Sequence, residues 1–217
     1  MLVRRLGITR GRHWATSGVM VLALGAWSCG HLNTNGRSPS YLVIDTLQAA
    51  SGANPGTFSS TLESDVVTNV SVTVGSEQVT QPTTFEDLGQ VKLRSVLKDQ
   101  GTATAVTTPT ATNAVTVTRY HVAFTRSDGR NTAGVDVPYA FDGAATGTVS
   151  SDGGTLNFVV VRAQAKLEAP LRALRGGGAI VISTIANITF YGQDQNGNDV
   201  SVTGSMSVNF ADWGDPS

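Results

Sequence analysis

Residues 180–210 read IVISTIANITFYGQDQNGNDVSVTGSMSVNF. Ile180, Ile182, Ala186, Ile188 and Phe190 share one parity. After a polar break, Val200, Val202, Met206, Val208 and Phe210 share another, opposite Ser201, Thr203, Ser205, Ser207 and Asn209. Successive side chains of a strand point to opposite faces, so each segment is a strand with one apolar and one polar face. The break from Gly192 to Asp199 contains Asn196-Gly197, a dipeptide that suits a tight hairpin turn. The stretch predicts a hairpin whose apolar faces look onto one core.

Working back from it, the same alternation recurs. Val66, Val70, Val72 and Val74 oppose Asn69, Ser71 and Thr73, which predicts one buried and one wet face. Val91, Leu93 and Leu97 alternate with Lys92, Arg94 and Lys98, and Leu156, Phe158 and Val160 mark a further strand. Tyr41 to Ile44 is a short apolar run closed by the turn formers Ser51 to Gly56. Along Val115 to Arg126 the apolar parity switches from Val115 and Val117 to Tyr120, Val122 and Phe124, which predicts a bulge near Arg119. Val135 to Phe141 is extended and carries Pro138, a residue confined to sheet edges. Asp99 to Ala114, rich in Thr, Ala and Pro, reads as an exposed loop or ragged hairpin.

One short helix interrupts the strands. Pro170 suits a first helical position, Leu171 and Leu174 lie three apart, and Gly176 to Gly178 closes the segment. Arg162, Lys166, Arg172 and Arg175 against Glu168 make it the most basic stretch of the domain, read as a solvated connecting helix.

These elements predict an all-β fold, an antiparallel sandwich of about eight or nine strands with one short helix. The closing hairpin resembles the last hairpin of bacterial immunoglobulin-like modules, whose penultimate strand runs into an Asp-x-x-Gly-Asn turn. Asp194, Gly197 and Asn198 match it. The resemblance implies an immunoglobulin-like β-sandwich over residues 41–217.

The other end of the chain carries an address. Arg4, Arg5, Arg10 and Arg12 precede an apolar run from Ala15, which closes on Ala26-Trp27-Ser28-Cys29, and no acid appears before Asp45. That is the layout of a secretory signal. The segment resembles the signal and lipobox of bacterial lipoproteins, which implies that residues 1–28 are removed and that Cys29 is lipidated. Residues 29–40 then form a flexible tether. By the same resemblance, Gly30 after the cysteine implies the outer membrane in a cell that has one.

Without residues 1–28, 217 less 28 leaves 189 residues, with eleven Lys and Arg against sixteen Asp and Glu. A net acidic domain without a basic tract is unsuited to nucleic acid, whose affinity depends on neutralising phosphates. Cys29 is the only cysteine, so the domain holds together without internal disulfides.

Chemistry-bearing residues are sparse. His121 is the only histidine beyond the tether; it sits mid-strand, with no Gly-x-Ser-x-Gly elbow in the chain to supply a nucleophile. Zinc needs a cluster of His or Cys that the sequence lacks. The weak binding candidates are Asp194, Asn196, Asn198 and Asp199, whose oxygens suit calcium. Asp199 stands where a calcium loop needs Gly, and Ser205 where it needs Glu. Asn and Asp equally suit a plain turn, and no cofactor is expected. The function expected is that of a non-enzymatic, lipid-anchored envelope protein, a surface binding or assembly module. It would engage the membrane through its lipid and an envelope protein or polysaccharide. The alternatives are a carbohydrate-binding sandwich and, third, an envelope hydrolase.

Overall fold

The computed structural model describes residues 36–177 and 180–213. Cys29, the signal and most of the tether lie outside them. In chain order the first strands are β1 (Ser40–Ala50), β2 (Thr61–Asp65), β3 (Thr68–Val74), β4 (Glu77–Thr83), β5 (Asp87–Leu97), β6 (Gly101–Thr102) and β7 (Ala105–Val106). They are followed by β8 (Val115–Thr125), β9 (Phe141–Val149), β10 (Gly154–Val161), the helix α1 (Ala163–Leu167), β11 (Ile182–Asp194) and β12 (Asp199–Ala211). The protein is predominantly β, with one short α-helix.

Eight strands form two sheets, ordered β1-β5-β10 and β2-β12-β11-β8-β9. Pairing between strands is antiparallel except at one edge, where β2 runs parallel to β12. The expectation of a purely antiparallel arrangement is corrected there. The remaining four strands form two separate hairpins, β3-β4 and β6-β7, so the ragged hairpin expected in 99–114 is present.

The closing hairpin pairs over its whole length, from Ile182 with Phe210 to Gln193 with Asp199. Ile188, Phe190, Val208 and Phe210 are fully buried. Each large side chain so buried contributes about 1.5–3 kcal/mol. Ile180, placed by parity on the inner face, lies before the strand and is exposed. From the opposite sheet come Val91, Leu93, Leu156 and Phe158, all in the same core cluster. Aromatic rings join the two sheets: Phe158 of β10 lies 5.1 Å from Phe190 of β11 and 5.3 Å from Tyr120 of β8, both edge to face.

Two expectations fail for physical reasons. The β3-β4 hairpin pairs only with itself, so Val66, just before it, is buried while Val74 is 64% exposed. Its alternation reflects strand propensity without burial. Val135 to Ala140 is a loop, and the edge strand β9 begins at Phe141 instead. β9 lacks an apolar alternation because Gly143 and Gly147 make room for Tyr120 and Leu156, whose atoms a Cβ at either glycine would overlap.

The helical segment also differs. Leu171–Leu174 is a 3-10 turn preceded by Pro170, and the α-helix lies earlier, at Ala163–Leu167. The basic stretch is no free cationic face: Lys166 is buried, Arg162 stacks over Phe141 at 4.4 Å, and Arg175 donates to Thr84 Oγ1 at 2.8 Å.

Candidate binding face

The outer face of the five-stranded sheet is built by the polar parity of β8, β11 and β12. The bulge expected near Arg119 is present at Thr118, where β8 gains one residue against β11, while on the other side β9 sets Ala145 and Thr146 against Thr118 alone. The extra residue lets Val117 and Tyr120 both turn inward while Thr118 and Arg119 both turn outward. Gly192 sits opposite Val117, where a Cβ would overlap the Thr116 carbonyl oxygen.

Register then sets two rows across the sheet. Ser201, Tyr191, Arg119 and Ala144 are successive cross-strand partners, as are Thr203, Thr189, His121 and Asp142. In the first row the Arg119 guanidinium lies over the Tyr191 ring, its Cζ 3.8 Å from the centroid, a cation–π arrangement. In the second, Thr189 and Thr203 hydroxyls share a hydrogen bond of 2.9 Å. Asp142 links the rows, 3.2 Å from His121 Nδ1 and 3.4 Å from Arg119 Nη1. Further along, Ser205 Oγ donates to Asn187 Oδ1 at 2.8 Å, and Asn187 Nδ2 donates to Thr125 Oγ1 at 3.2 Å. Between Arg119, Tyr191 and Asp199 the face is concave, lined also by Thr118, Gln193 and Ser201.

Chemically this is a field of hydroxyls and amides around one charged cluster. Exposed pairs such as Arg119 with Asp142 add about 0–1 kcal/mol to stability. His121 has an acid partner that sequence reading missed, but Asp142 is 64% exposed in its side chain. The residue opposite His121 on β11 is Thr189, whose hydroxyl is bonded to Thr203. The parity switch at Arg119 is the sequence signal for this face; the pairings needed the register of three strands.

The residues weighed for calcium divide. Asp194 is buried, and its Oδ1 accepts the N–H groups of Asn196 and Asn198, each at 2.9 Å. Its Oδ2 accepts Asn198 Nδ2 at 2.9 Å. Burial alone would raise its carboxyl; the bonds from Asn198, Ser38 and Asn196 outweigh that and hold it below the usual carboxylate range. Asn198 thus presents donors to Asp194, whereas a cation needs oxygens. The Asn196 contribution is its backbone N–H, and Asp199 lies apart, accepting Gln193 Nε2 at 3.0 Å. With Gly197 at φ +79°, the group closes a hairpin turn. Among the described residues no cluster of three or more His, Cys, Asp or Glu comes together, and no helix is long and apolar enough to cross a membrane.

No family model, curated protein or solved structure matches this chain.

Proposed function

We propose that this chain is a non-enzymatic surface binding or assembly module of the bacterial envelope, exported and held by lipid at Cys29, which docks a partner protein on the outer face of its five-stranded sheet. The observation that carries it is that face itself: two ordered rows of ring, guanidinium, hydroxyl and amide groups that nothing among the described residues covers. Arg and Tyr are enriched where interfaces concentrate their energy.

An immunoglobulin-like sandwich is the finer fold reading. In such domains the G, F, C and C′ strands share one sheet, and A, B and E lie in the other. The order β12-β11-β8-β9 against β1-β5-β10 supports this assignment, with β2 as an added parallel edge. On that assignment Tyr120, buried on the strand corresponding to C, would take the part of the tryptophan that antibody domains bury on that strand. A polysaccharide platform is less favoured, because the Arg119 guanidinium occupies one face of the Tyr191 ring that a sugar would stack on. Hydrolysis is less favoured because the His121 and Asp142 pair is open to water and lacks a free hydroxyl opposite it.

The test is affinity capture from intact envelopes with wild-type protein and the R119A/Y191A double variant as baits. A protein retained by the first and lost by the second, at unchanged thermal stability, supports the docking face. Equal retention, or retention of polysaccharide alone, overturns it. Labelling with a fatty-acid analogue tests the anchor, since Cys29→Ser should abolish incorporation.

A further inference from the structure

The helix α1 sends Lys166 inward rather than to solvent. Its side chain is 1% exposed, and it meets Asp87, the first residue of β5, whose side chain is 0% exposed. Lys166 Nζ lies 2.8 Å from Asp87 Oδ1. Two further donors fix the carboxyl: the Gly52 N–H reaches Oδ1 at 2.8 Å, and the Ser64 hydroxyl reaches Oδ2 at 2.6 Å. Three segments distant in sequence therefore converge on one carboxyl group carried by a fourth.

As a plain ion pair this arrangement is poorly made. An ammonium group carries three donors, and Asp87 Oδ1 is the acceptor that Lys166 finds among the described residues. Burying a charge with donors left over is costly, and a buried pair holds its own only when every remaining donor and lone pair is satisfied. Burial also pushes the Asp87 carboxyl above its usual range, against the opposing pull of Lys166, Ser64 and Gly52.

We propose that Lys166 and Asp87 condense into an intramolecular amide, an isopeptide bond that ties α1 to β5. Nζ, having given a proton to the carboxyl, attacks Cγ with its lone pair, and a Cγ–Nζ bond forms. The Cγ–Oδ2 bond breaks, and Oδ2 leaves as water with two of the three protons that began on the ammonium group. The third stays as the amide N–H. No electrons are transferred, and the two side chains supply every atom. The Gly52 N–H is placed to hold the negative charge that develops on Oδ1 in the tetrahedral stage. The Ser64 hydroxyl is placed to relay the proton to departing Oδ2.

The site supplies the driving force as well. In water such a condensation is opposed, because free carboxylate and ammonium are both strongly hydrated. At 0% and 1% exposure that hydration is gone, and the neutral amide replaces two buried charges. The bond would span 79 residues of sequence in a chain whose single cysteine allows no internal disulfide.

The experiment is peptide mapping and intact-mass measurement of the denatured full-length protein. The expected result is a mass one water below that calculated for the chain with its N-terminal processing included, and a branched peptide joining Lys166 to Asp87. Lys166→Met should restore the lost water, and Ser64→Ala, which keeps both reacting groups, should leave a measurable unreacted fraction. The D87L/K166M double variant separates the bond from a salt bridge, because a buried ion pair replaced by apolar residues is typically neutral or stabilising. Loss of a covalent closure should instead lower Tm by about 10 °C. A wild-type protein of full mass with a Lys166 amine that acylates after denaturation overturns the proposal, as does a double variant as stable as wild type.

Discussion

The Tyr120 hydroxyl on β8 accepts the backbone N–H of Val159 on β10 at 3.0 Å, so a side chain of one sheet completes the backbone bonding of the other. At that point β10 has shifted register against β5, between Val159 and Val161. Tyr120→Phe keeps the ring among Phe141, Phe158 and Phe190 but strands the N–H. A cost of about 1–2 kcal/mol is expected, read as a Tm lowered by about 2–8 °C. There is a pH signature too. Burial holds the phenol above its ordinary 10.0, so above that pH the unfolded chain ionises first and wild-type stability falls; the Phe variant should lack this part of the loss.

Two glycines serve the same rings. A Cβ on Gly89 of β5 would overlap the Phe158 ring, and one on Gly143 of β9 would overlap the Tyr120 ring. Both rings are buried and in contact with other rings, so Gly89→Ala and Gly143→Ala should each destabilise by about 1–3 kcal/mol through overpacking. Denaturant titration should show a lower midpoint at unchanged slope.

These rings also mark how far the sequence could be read. The inward residues of β5, β8, β11 and β12 were legible because one face of each is buried, and burial imposes a period of two. The bulge at Thr118 was legible because it breaks that period. β9 was not, because between Phe141 and Val149 its inward positions are Gly143, Ala145 and Gly147, small residues that fit larger partners and leave the apolar alternation blank in the middle. The valines of β3 misled for the opposite reason. Asp87 carries a signal of its own: it falls on the buried parity with Gly89, Val91 and Leu93, and an acid there demands a partner. The partner, Lys166, lies on a short helix whose inward side only tertiary packing defines. Arg119 with Tyr191, and His121 with Asp142, meet through strand register, which residue types alone do not fix.

The β3-β4 hairpin should tolerate polar change. Val72 and Val74 are exposed, and β3 and β4 form a two-stranded sheet of their own, so Val72→Thr and Val74→Thr should fall within about 0.5 kcal/mol of wild type. Leu62→Ala on neighbouring β2, where the side chain is 1% exposed, should cost about 2–5 kcal/mol. Chemical denaturation of the three variants measures the contrast. A large loss at Val74 would mean that the hairpin's apolar face is covered in solution.

The turn after β11 decides between structure and calcium. Asp194 accepts two backbone N–H groups and the Asn198 amide, donors that are exposed at Asn196 and half-buried at Asn198, so after Asp194→Ala water takes over part of the lost bonding. The loss should be about 1.5–3 kcal/mol in all, below the roughly 3–5 kcal/mol expected of Phe190→Ala in the core. Because the folded carboxyl is held below its ordinary 3.8, the unfolded chain takes up the proton first. The stabilisation is therefore complete above that pH and fades as pH falls through the lower folded value. Asp194→Asn should be less stable at neutral pH and should lose less on acidification. Thermal unfolding with calcium and with chelator completes the test: wild type and Asp194→Ala should each melt at the same temperature in both. A chelator-dependent drop confined to wild type would show that the carboxylate is shared with a cation.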